Sequence, residues 1–403
     1  MKIPELLAPA GNMEKGLMAI EYGADALYLA GQQFGMRAQA GNFTLAEIEE
    51  ILETAHRRGV RIYVTVNTYP RNHEMEELPS YLETLAALRV DGIILADPGV
   101  LRLAKRYAPG IPLHLSTQAN TVNYQAVQFW VEAGISRFVL ARELSRDEIA
   151  EIRRHTEAEL EVFVHGAMCM AYSGRCLLST FLTGRDANRG ACAQSCRWKY
   201  AVVEEKRPGE YFPVEEDETG TYIFNSKDLC LIEHIPELVE AGVDALKIEG
   251  RMKSSYYVAT VVRAYRMALD LYAQDPENYR LPDGLRSELD KVSHRPYWAG
   301  FFVPTDAGIY HPTSAYIQTH DVVGIVQSYD SERGEAVVLV KNRLQVGDTV
   351  ELMEPRGPVT AFTIKELVRE DLGTAVAEVH PNFTARIPLP PTKPYAVLRI
   401  ERT

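Results

Sequence analysis

A short sequence motif recurs along the chain: a helix end, then a glycine or turn, then an apolar strand. Its four copies are residues 22–31 (YGADALYLAG), 89–97 (RVDGIILAD), 133–142 (AGISRFVLAR) and 241–250 (AGVDALKIEG). Glycine suits the left-handed position after a helix, and a wholly apolar strand is typical of a parallel sheet covered on both faces. Amphipathic stretches lie between the copies, such as residues 44–58, where Thr44 and Glu47 form a capping-box pattern. The pattern predicts alternating helices and parallel strands.

Counting the apolar segments predicts eight strands, at residues 5–8, 26–30, 61–67, 92–97, 112–118, 137–142, 161–166 and 245–250. Helical patterns separate the first seven. Eight strands with alternating helices in about 250 residues is typical of a (β/α)8 barrel. A doubly wound sheet is the alternative, but no glycine-rich phosphate loop follows the first strand. We therefore predict an α/β fold, a TIM-like (β/α)8 barrel.

The pattern changes near residue 321 to short alternating strands, at residues 321–327, 336–341, 348–352, 359–364, 374–379 and 395–400. Regular short strands without helices predict a small closed β-barrel. A long helix at residues 256–272 precedes this region. The predicted domains are therefore a barrel domain at residues 1–315 and a C-terminal β-barrel domain at residues 316–403.

All five cysteines of the chain lie in one segment: Cys169, Cys176, Cys192, Cys196 and Cys230. The segment follows strand seven, so residues 167–230 form an enlarged strand-to-helix loop on the C-terminal face of the barrel, where such folds carry their chemistry. Residues 198–205 and 221–225 are predicted to pair as a hairpin in this insertion, and Cys230 is predicted to begin the next helix.

Clustered thiols favour a metal or iron–sulfur site over small core hydrophobes. The spacing, Cys-x6-Cys and later Cys-x3-Cys, lacks the closely spaced pairs of a zinc knuckle. Disulfides fit poorly, because the count is odd and the chain opens without a charged-then-apolar leader. An iron–sulfur cluster on four thiolates is favoured, and structural zinc and free or redox-active thiols remain alternatives. With four thiolate ligands, one of the five cysteines is not needed for the cluster.

The composition limits the classes of binding partner that we expect. The formal net charge of −12 argues against indiscriminate nucleic-acid binding by the whole surface. The insertion nevertheless holds a basic group, which is either a phosphate-binding patch or a set of solvated loop charges: Arg175, Arg185, Arg189, Arg197 and Lys199. No apolar run approaches the ~18 residues of a membrane span, so we expect a cytoplasmic protein without membrane contact.

Polar residues end the apolar strands, on the face where the insertion emerges: Asn67, Asp97, Gln118, Asn120, Arg142, His165, Glu249 and Arg251. Each is costly to bury without a partner, so together they predict a wet or ligand-filled active site. Glu249, His165 and Arg251 are the candidate catalytic residues, with Glu249 or His165 moving protons. A Cys–His protease built from Cys169 and His165 is an alternative, but the other cysteines favour metal ligation.

Residues 161–179 read EVFVHGAMCMAYSGRCLLS and resemble the signature of the collagenase-like peptidases, peptidase family U32. The residues in register are Glu161, Phe163, Gly166, Ala167, Cys169, Gly174, Cys176 and Ser179. The likeness continues through residues 184–198 (GRDANRGACAQSCRW), 226–230 (SKDLC) and 246–254 (LKIEGRMKS), so it covers the whole barrel. The C-terminal region also resembles that family's C-terminal domain.

This resemblance implies a function other than proteolysis. The understood members resemble cluster-bearing, oxygen-independent hydroxylation factors, and length favours the branch that makes 5-hydroxyuridine at the tRNA wobble position with prephenate. The register implies a [4Fe-4S] cluster on Cys169, Cys176, Cys192 and Cys230, and leaves Cys196 extra. The implied partners are tRNA, prephenate and a homologous protein. The alternatives are a collagenase-like peptidase, a ubiquinone-type hydroxylation factor and a non-catalytic partner.

Overall fold

A closed barrel of eight parallel strands forms the N-terminal part of the protein. The computed structural model describes residues 2–35, 41–169, 171, 176–187, 191–198, 201–203, 211–213, 227–303 and 316–402, with residues 197, 201–203 and 211–213 described by backbone alone. Seven barrel strands are β1 (Glu5–Pro9), β2 (Ala26–Ala30), β3 (Arg61–Val66), β4 (Gly92–Leu95), β5 (Leu113–Leu115), β6 (Arg137–Val139) and β7 (Glu159–Ala167). Three short strands follow: β8 (Ala201–Val203), β9 (Tyr211–Pro213) and β10 (Asp228–Cys230). The eighth barrel strand, β11 (Ala245–Ile248), pairs with both β7 and β1. The predicted TIM-like barrel is confirmed.

The structure describes ten α-helices, of which seven connect consecutive barrel strands, the seventh in chain order lies in the insertion, and the last two follow the eighth barrel strand. They are α1 (Met13–Glu21), α2 (Leu45–Arg57), α3 (Leu78–Ala87), α4 (Pro98–Tyr107), α5 (Tyr124–Glu132), α6 (Arg146–Arg154), α7 (Leu178–Thr183), α8 (Ile235–Glu240), α9 (Ser255–Gln274) and α10 (Asp283–Glu288). The predicted capping box is present at α2: the Glu47 amide donates to Thr44 Oγ1, and the Thr44 amide donates to Glu47 Oε2. Within the described residues, no helix combines the length and apolar character that a bilayer crossing requires.

The inside of the barrel is partly apolar and partly charged. Leu7, Tyr28, Tyr63 and Ile94 form a small apolar cluster in the barrel strands. Buried ion pairs join strands: Lys247 Nζ on β11 lies 2.6 Å from Glu161 Oε1 on the neighbouring β7, and Arg137 Nη1 on β6 lies 2.6 Å from Glu5 Oε1 on β1, which does not pair with β6. Because these charges are paired, the strands carry them at positions that would otherwise have to be apolar.

The C-terminal part is an antiparallel sheet with a core of its own. After β12 (Tyr297–Trp298), which pairs with β10, its strands are β13 (His320–Asp330), β14 (Glu335–Val340), β15 (Leu344–Gln345), β16 (Thr349–Met353), β17 (Thr360–Thr363), β18 (Val368–Arg369), β19 (Thr374–Ala375), β20 (Glu378–Val379), β21 (Thr384–Pro388) and β22 (Val397–Glu401). Eight pair in the order β17-β16-β22-β13-β14-β21-β18-β19, and β15 pairs with β20. The predicted all-β C-terminal domain is confirmed as an antiparallel sheet, and β15, β18 and β21 were missed. The domain boundary at residues 315 and 316 stays a prediction, since residues 304–315 lie outside the described residues.

The insertion differs from two expectations. Cys230 ends β10, which runs antiparallel to β7, so the prediction that it begins a helix was wrong. The cause is pairing with a strand that is distant in sequence, which local periodicity does not report. The described part of the hairpin pairs β8 with β9. The expected partner at residues 221–225 lies outside the described residues.

Candidate functional site

A cavity of about 320 Å³ opens at the C-terminal end of the barrel, where β7 and β11 finish. It is built by the insertion that follows β7, by the residues after β11, and by Ser293 and Tyr316 from the connection between the domains. Its described lining is Ala167, Met168, Cys169, Cys192, Gln194, Cys196, Glu249, Gly250, Met252, Lys253, Ser293 and Tyr316. The cavity therefore lies on the face where the sequence predicted an active site.

Three of the five cysteines share this cavity. Cys169 and Cys192 belong to the predicted ligand set, and Cys196 was considered spare. The other two predicted ligands, Cys176 and Cys230, are not among the described lining residues. Cys230 is buried with its sulfur 4.0 Å from the Tyr265 hydroxyl, and burial raises the pKa of this thiol to about 11. The insertion thus gathers part of the predicted set and adds Cys196.

The donor chemistry of these thiols suits a [4Fe-4S] cluster, since clusters are held by cysteine thiolates. Among the described residues, no three or more Cys, His, Asp or Glu side chains lie together in a group that could hold a metal ion. The cluster and its four ligands therefore stay a prediction.

Glu249 is held at the cavity wall by Arg142. The Arg142 Nη2 lies 3.7 Å from Glu249 Oε2, and its Nη1 donates to the sulfur of Cys169 at 3.8 Å. The guanidinium also lies 3.9 Å from the centroid of the Phe163 ring, which fixes its plane. Gly166 has a φ of 104°, and a Cβ there would come within 2.6 Å of the Glu249 carbonyl oxygen. Glycine is required for this close approach of the two strand ends.

His165 and Arg251, the other candidate catalytic residues, are not among the described lining residues. The His165 ring is buried, with Nδ1 3.4 Å from the Tyr265 hydroxyl and Nε2 3.4 Å from the Tyr297 hydroxyl. Burial lowers the pKa of His165 well below its ordinary value, and nearby His294 adds to the effect. Arg251 is also buried and donates from Nη1 to Thr65 Oγ1 at 3.4 Å. Of the three, Glu249 reaches the cavity.

Other strand-end polar residues serve the scaffold. Asp97 caps α4 by accepting from the amides of Gly99 and Val100 at 2.7 and 3.0 Å. Asn120 has the left-handed conformation that ends the 3-10 turn Thr117–Ala119. A polar residue at a strand end therefore indicates the face of the barrel more reliably than it indicates a catalytic role.

The basic group of the insertion is only partly described. Arg175, Arg189 and Lys199 lie outside the described residues, as does the side chain of Arg197. Arg185 donates from Nε to the Ala191 carbonyl oxygen at 3.0 Å, which fastens one part of the insertion to another.

Among the lining residues that sequence reasoning missed are Gln194, Met252, Lys253, Ser293 and Tyr316. Gln194, Met252 and Lys253 lie within segments 184–198 and 246–254, which resemble the family. That resemblance was the signal in the sequence that could have identified them. Ser293 and Tyr316 come from the connection between the domains, where the sequence pattern gives no indication of the cavity.

The chain matches family models along nearly its whole length. The model of peptidase family U32 matches residues 11–310, and that of the peptidase family U32 C-terminal domain matches residues 318–399. The tRNA hydroxylation protein P1 of Bacillus subtilis (strain 168) is 44% identical over 382 residues, covering 94% of this chain and 90% of the relative. The tRNA hydroxylation protein P of Escherichia coli (strain K12) is 37% identical over 434 residues, covering 96% and 94%.

A third relative has the name of an rRNA-modifying enzyme. The 23S rRNA 5-hydroxycytidine C2501 synthase of Escherichia coli (strain K12) is 35% identical over 359 residues, covering 88% of this chain and 52% of the relative.

Proposed function

The chain belongs to peptidase family U32, and on that premise we propose that it is an enzyme of tRNA modification that hydroxylates the wobble uridine to 5-hydroxyuridine. The observation that carries the proposal is the near full-length similarity to two tRNA hydroxylation proteins. The similarity to the rRNA 5-hydroxycytidine synthase supports hydroxylation at C5 of a pyrimidine. A cavity at the C-terminal end of a (β/α)8 barrel is where such a reaction is expected.

We further propose that Cys169, Cys176, Cys192 and Cys230 hold a [4Fe-4S] cluster, and that prephenate is the co-substrate. In support of the cluster, the donors are all thiols and two of them line the cavity. The cluster would supply electron-transfer chemistry. The proposal that prephenate is the co-substrate rests on the resemblance to the 5-hydroxyuridine branch of the family.

Glu249 is the proposed proton-transfer residue. It lines the cavity, and the guanidinium of Arg142, 3.7 Å away, orients its carboxylate. His165 is held neutral by burial between two tyrosine hydroxyls, so its role in this proposal is to hold β7 against α9 and β12. Arg251 similarly supports the barrel wall.

The peptidase alternative lacks a base for its nucleophile among the described residues. Cys169 lines the cavity and contacts Arg142, whereas His165 is buried and faces Tyr265 and Tyr297. A cysteine protease requires the thiol and the imidazole within hydrogen-bond reach of each other.

The function is tested in cells that lack this protein. Mass spectrometry of digested tRNA should show wobble uridines without the 5-hydroxyl group, and the intact gene should restore it. The Cys169→Ser form should fail to restore it, and restoration should also fail in cells that cannot make prephenate. Unaltered tRNA in a deletion strain without a second gene copy would contradict the proposal. A non-catalytic partner would instead leave the purified protein inactive alone.

The cluster is tested by anaerobic purification followed by iron and sulfide analysis. The protein should be brown and contain about four irons per chain. Serine in place of Cys169, Cys176, Cys192 or Cys230 should remove the iron, because a neutral hydroxyl does not replace a thiolate. Cys196→Ser is the matched control and should retain the iron. A colourless protein with one zinc would overturn the cluster, and iron loss in Cys196→Ser would overturn the ligand set.

A further inference from the structure

We propose that the cavity at the end of the barrel receives the target pyrimidine base of the RNA, with Tyr316 against the base and Lys253 near the adjoining phosphate. The inference rests on the proposed function, and it adds which surface binds the nucleotide and through which residues. An enzyme that alters an atom of a base must expose that base, and a base in a single-stranded loop is exposed at little cost.

The walls of the cavity suit a flat ring with polar edges. Its volume of about 320 Å³ is at the lower end of the range of small-molecule sites. Two large side chains remain substantially exposed there, Met252 at 45% and Tyr316 at 43%. An exposed aromatic ring at the mouth of a cavity is a surface on which a base can stack, and such stacking tolerates any base.

Two cations flank the aromatic ring. Lys253 Nζ lies 4.3 Å from the centroid of the Tyr316 ring, and the guanidinium carbon of Arg295 lies 4.7 Å from it. The Lys253 ammonium also donates to the Ser293 carbonyl oxygen at 2.8 Å, which holds it at the cavity. Arg295 is buried at 2% exposure, so Lys253 is the cation that brings positive charge to the described cavity lining, although the chain as a whole has a net charge of −12. A phosphate next to the bound base would be attracted there.

Groups within the cavity match the edge of uracil. The Gln194 amide both accepts and donates hydrogen bonds, as the N3–H and O4 of uracil require, and the Glu249 carboxylate remains for proton transfer at C5. Glu249 is held by Arg142, so an acceptor is already oriented before the base arrives. An aromatic surface, a cation and a few polar groups are the combination by which proteins bind an unpaired base.

The test measures binding by the full-length protein of a synthetic anticodon stem-loop RNA with uridine at the first anticodon position. A second RNA has an abasic site at that position. We expect the abasic RNA to bind roughly tenfold more weakly, the loss of one stacked base. Tyr316→Ala should weaken binding of the uridine RNA by a similar factor and leave the abasic RNA unchanged, since the two changes remove the same contact. Tyr316→Phe should bind like wild type.

Two further variants test the phosphate contact and the location. Lys253→Met should reduce the slope of log K against log salt by about 0.7, the value for one single-strand phosphate. Phe129→Ala is the matched control, because Phe129 is an exposed aromatic on α5, away from the described cavity lining. Its binding of both RNAs should be unchanged.

The outcomes separate this inference from the proposed function. Equal binding of uridine and abasic RNA by wild type would overturn the base site, even where the deletion strain lacks tRNA hydroxylation. Loss of base discrimination in Phe129→Ala would overturn it as well. Selective competition by prephenate with equal binding of the two RNAs would assign the cavity to a small carboxylate and overturn the inference. If the deletion strain has normal tRNA and the protein still discriminates between the two RNAs, the proposed function is refuted but the proposed base-binding site stands.

Discussion

At the scale of single residues, the barrel depends on charges that are buried in pairs. Glu161 is 0% exposed and lies on β7, where it contacts Lys247 of β11 at 2.6 Å and Arg137 of β6 at 3.5 Å. Burial lowers the pKa of Lys247, and the charge of Glu161 opposes that effect. Each partner makes the burial of the other tolerable, so the pair joins β7 to its neighbour β11.

Removal of one partner should therefore be costly. Lys247→Met leaves Glu161 buried with a more distant cation, and we expect a loss of about 3 kcal/mol in the free energy of unfolding. Lys2→Met is the control, because Lys2 forms an exposed pair with Asp244 at 2.8 Å, and an exposed pair contributes at most about 1 kcal/mol. Chemical denaturation measures both. Equal losses in the two variants would contradict the role of the buried pair.

At the scale of elements, sequence reasoning succeeded where the signal is local. The capping box before α2 and the apolar strands of the barrel were predicted, since caps and periodicity extend over a few residues. It failed at Cys230, and it did not indicate that Cys196 lines the cavity. The strand that ends at Cys230 forms by pairing with β7, and Cys196 reaches the cavity through the path of the insertion. Both depend on contacts between distant parts of the chain.

The cap of α2 gives a test at this scale. Thr44→Ala removes the acceptor of the Glu47 amide, which lies 3.2 Å from Thr44 Oγ1. We expect the free energy of unfolding to fall by about 1 kcal/mol. Glu50→Ala, an exposed change within the same helix, should alter it by less than about 0.5 kcal/mol. A fall no larger than that of the Glu50 variant would mean that α2 is fixed by packing alone.

At the scale of the whole molecule, a buried charge cluster joins the two domains. Arg399 of the C-terminal sheet is 0% exposed and lies 2.7 Å from Glu288 of α10 and 2.7 Å from Glu351 of β16. Lys291 contacts both carboxylates, at 3.0 and 2.9 Å. The Tyr22 hydroxyl of the barrel also hydrogen-bonds with the Met353 carbonyl oxygen. The C-terminal sheet is therefore a fixed part of the structure.

This cluster predicts sensitivity to acid. Burial opposes ionisation of Glu288 and Glu351, but hydrogen bonds and charge from Arg399 and Lys291 outweigh it and lower the pKa of both. Arg263, 3.8 Å from Glu288, and His320, 3.7 Å from Glu351, also face the two carboxylates. A folded-state pKa below the unfolded value, about 4.3 for glutamate, stabilises the protein above that pH. The contribution is lost as the pH falls through the folded-state values.

Thermal unfolding between about pH 6 and pH 3 measures this loss. We expect the midpoint to fall steeply below about pH 4.3 in wild type, and less steeply in Arg399→Met, which is already destabilised at neutral pH. Arg402→Met is the control, since its pair with Asp321 at 2.7 Å is exposed. An Arg399→Met curve parallel to that of wild type would show that the cluster does not cause the acid sensitivity.

The strands that close the barrel, β7 and β11, are neighbours in space but are separated by residues 168–244, which include the whole insertion. The entropy lost on joining the ends of such a loop grows only with the logarithm of its length, so doubling it costs about 0.6 kcal/mol. Closure of the barrel between β7 and β11 therefore places little restriction on the length of the cysteine-rich insertion. Its length and composition can change, through evolution or by design, while the register of β7 against β11 stays the same.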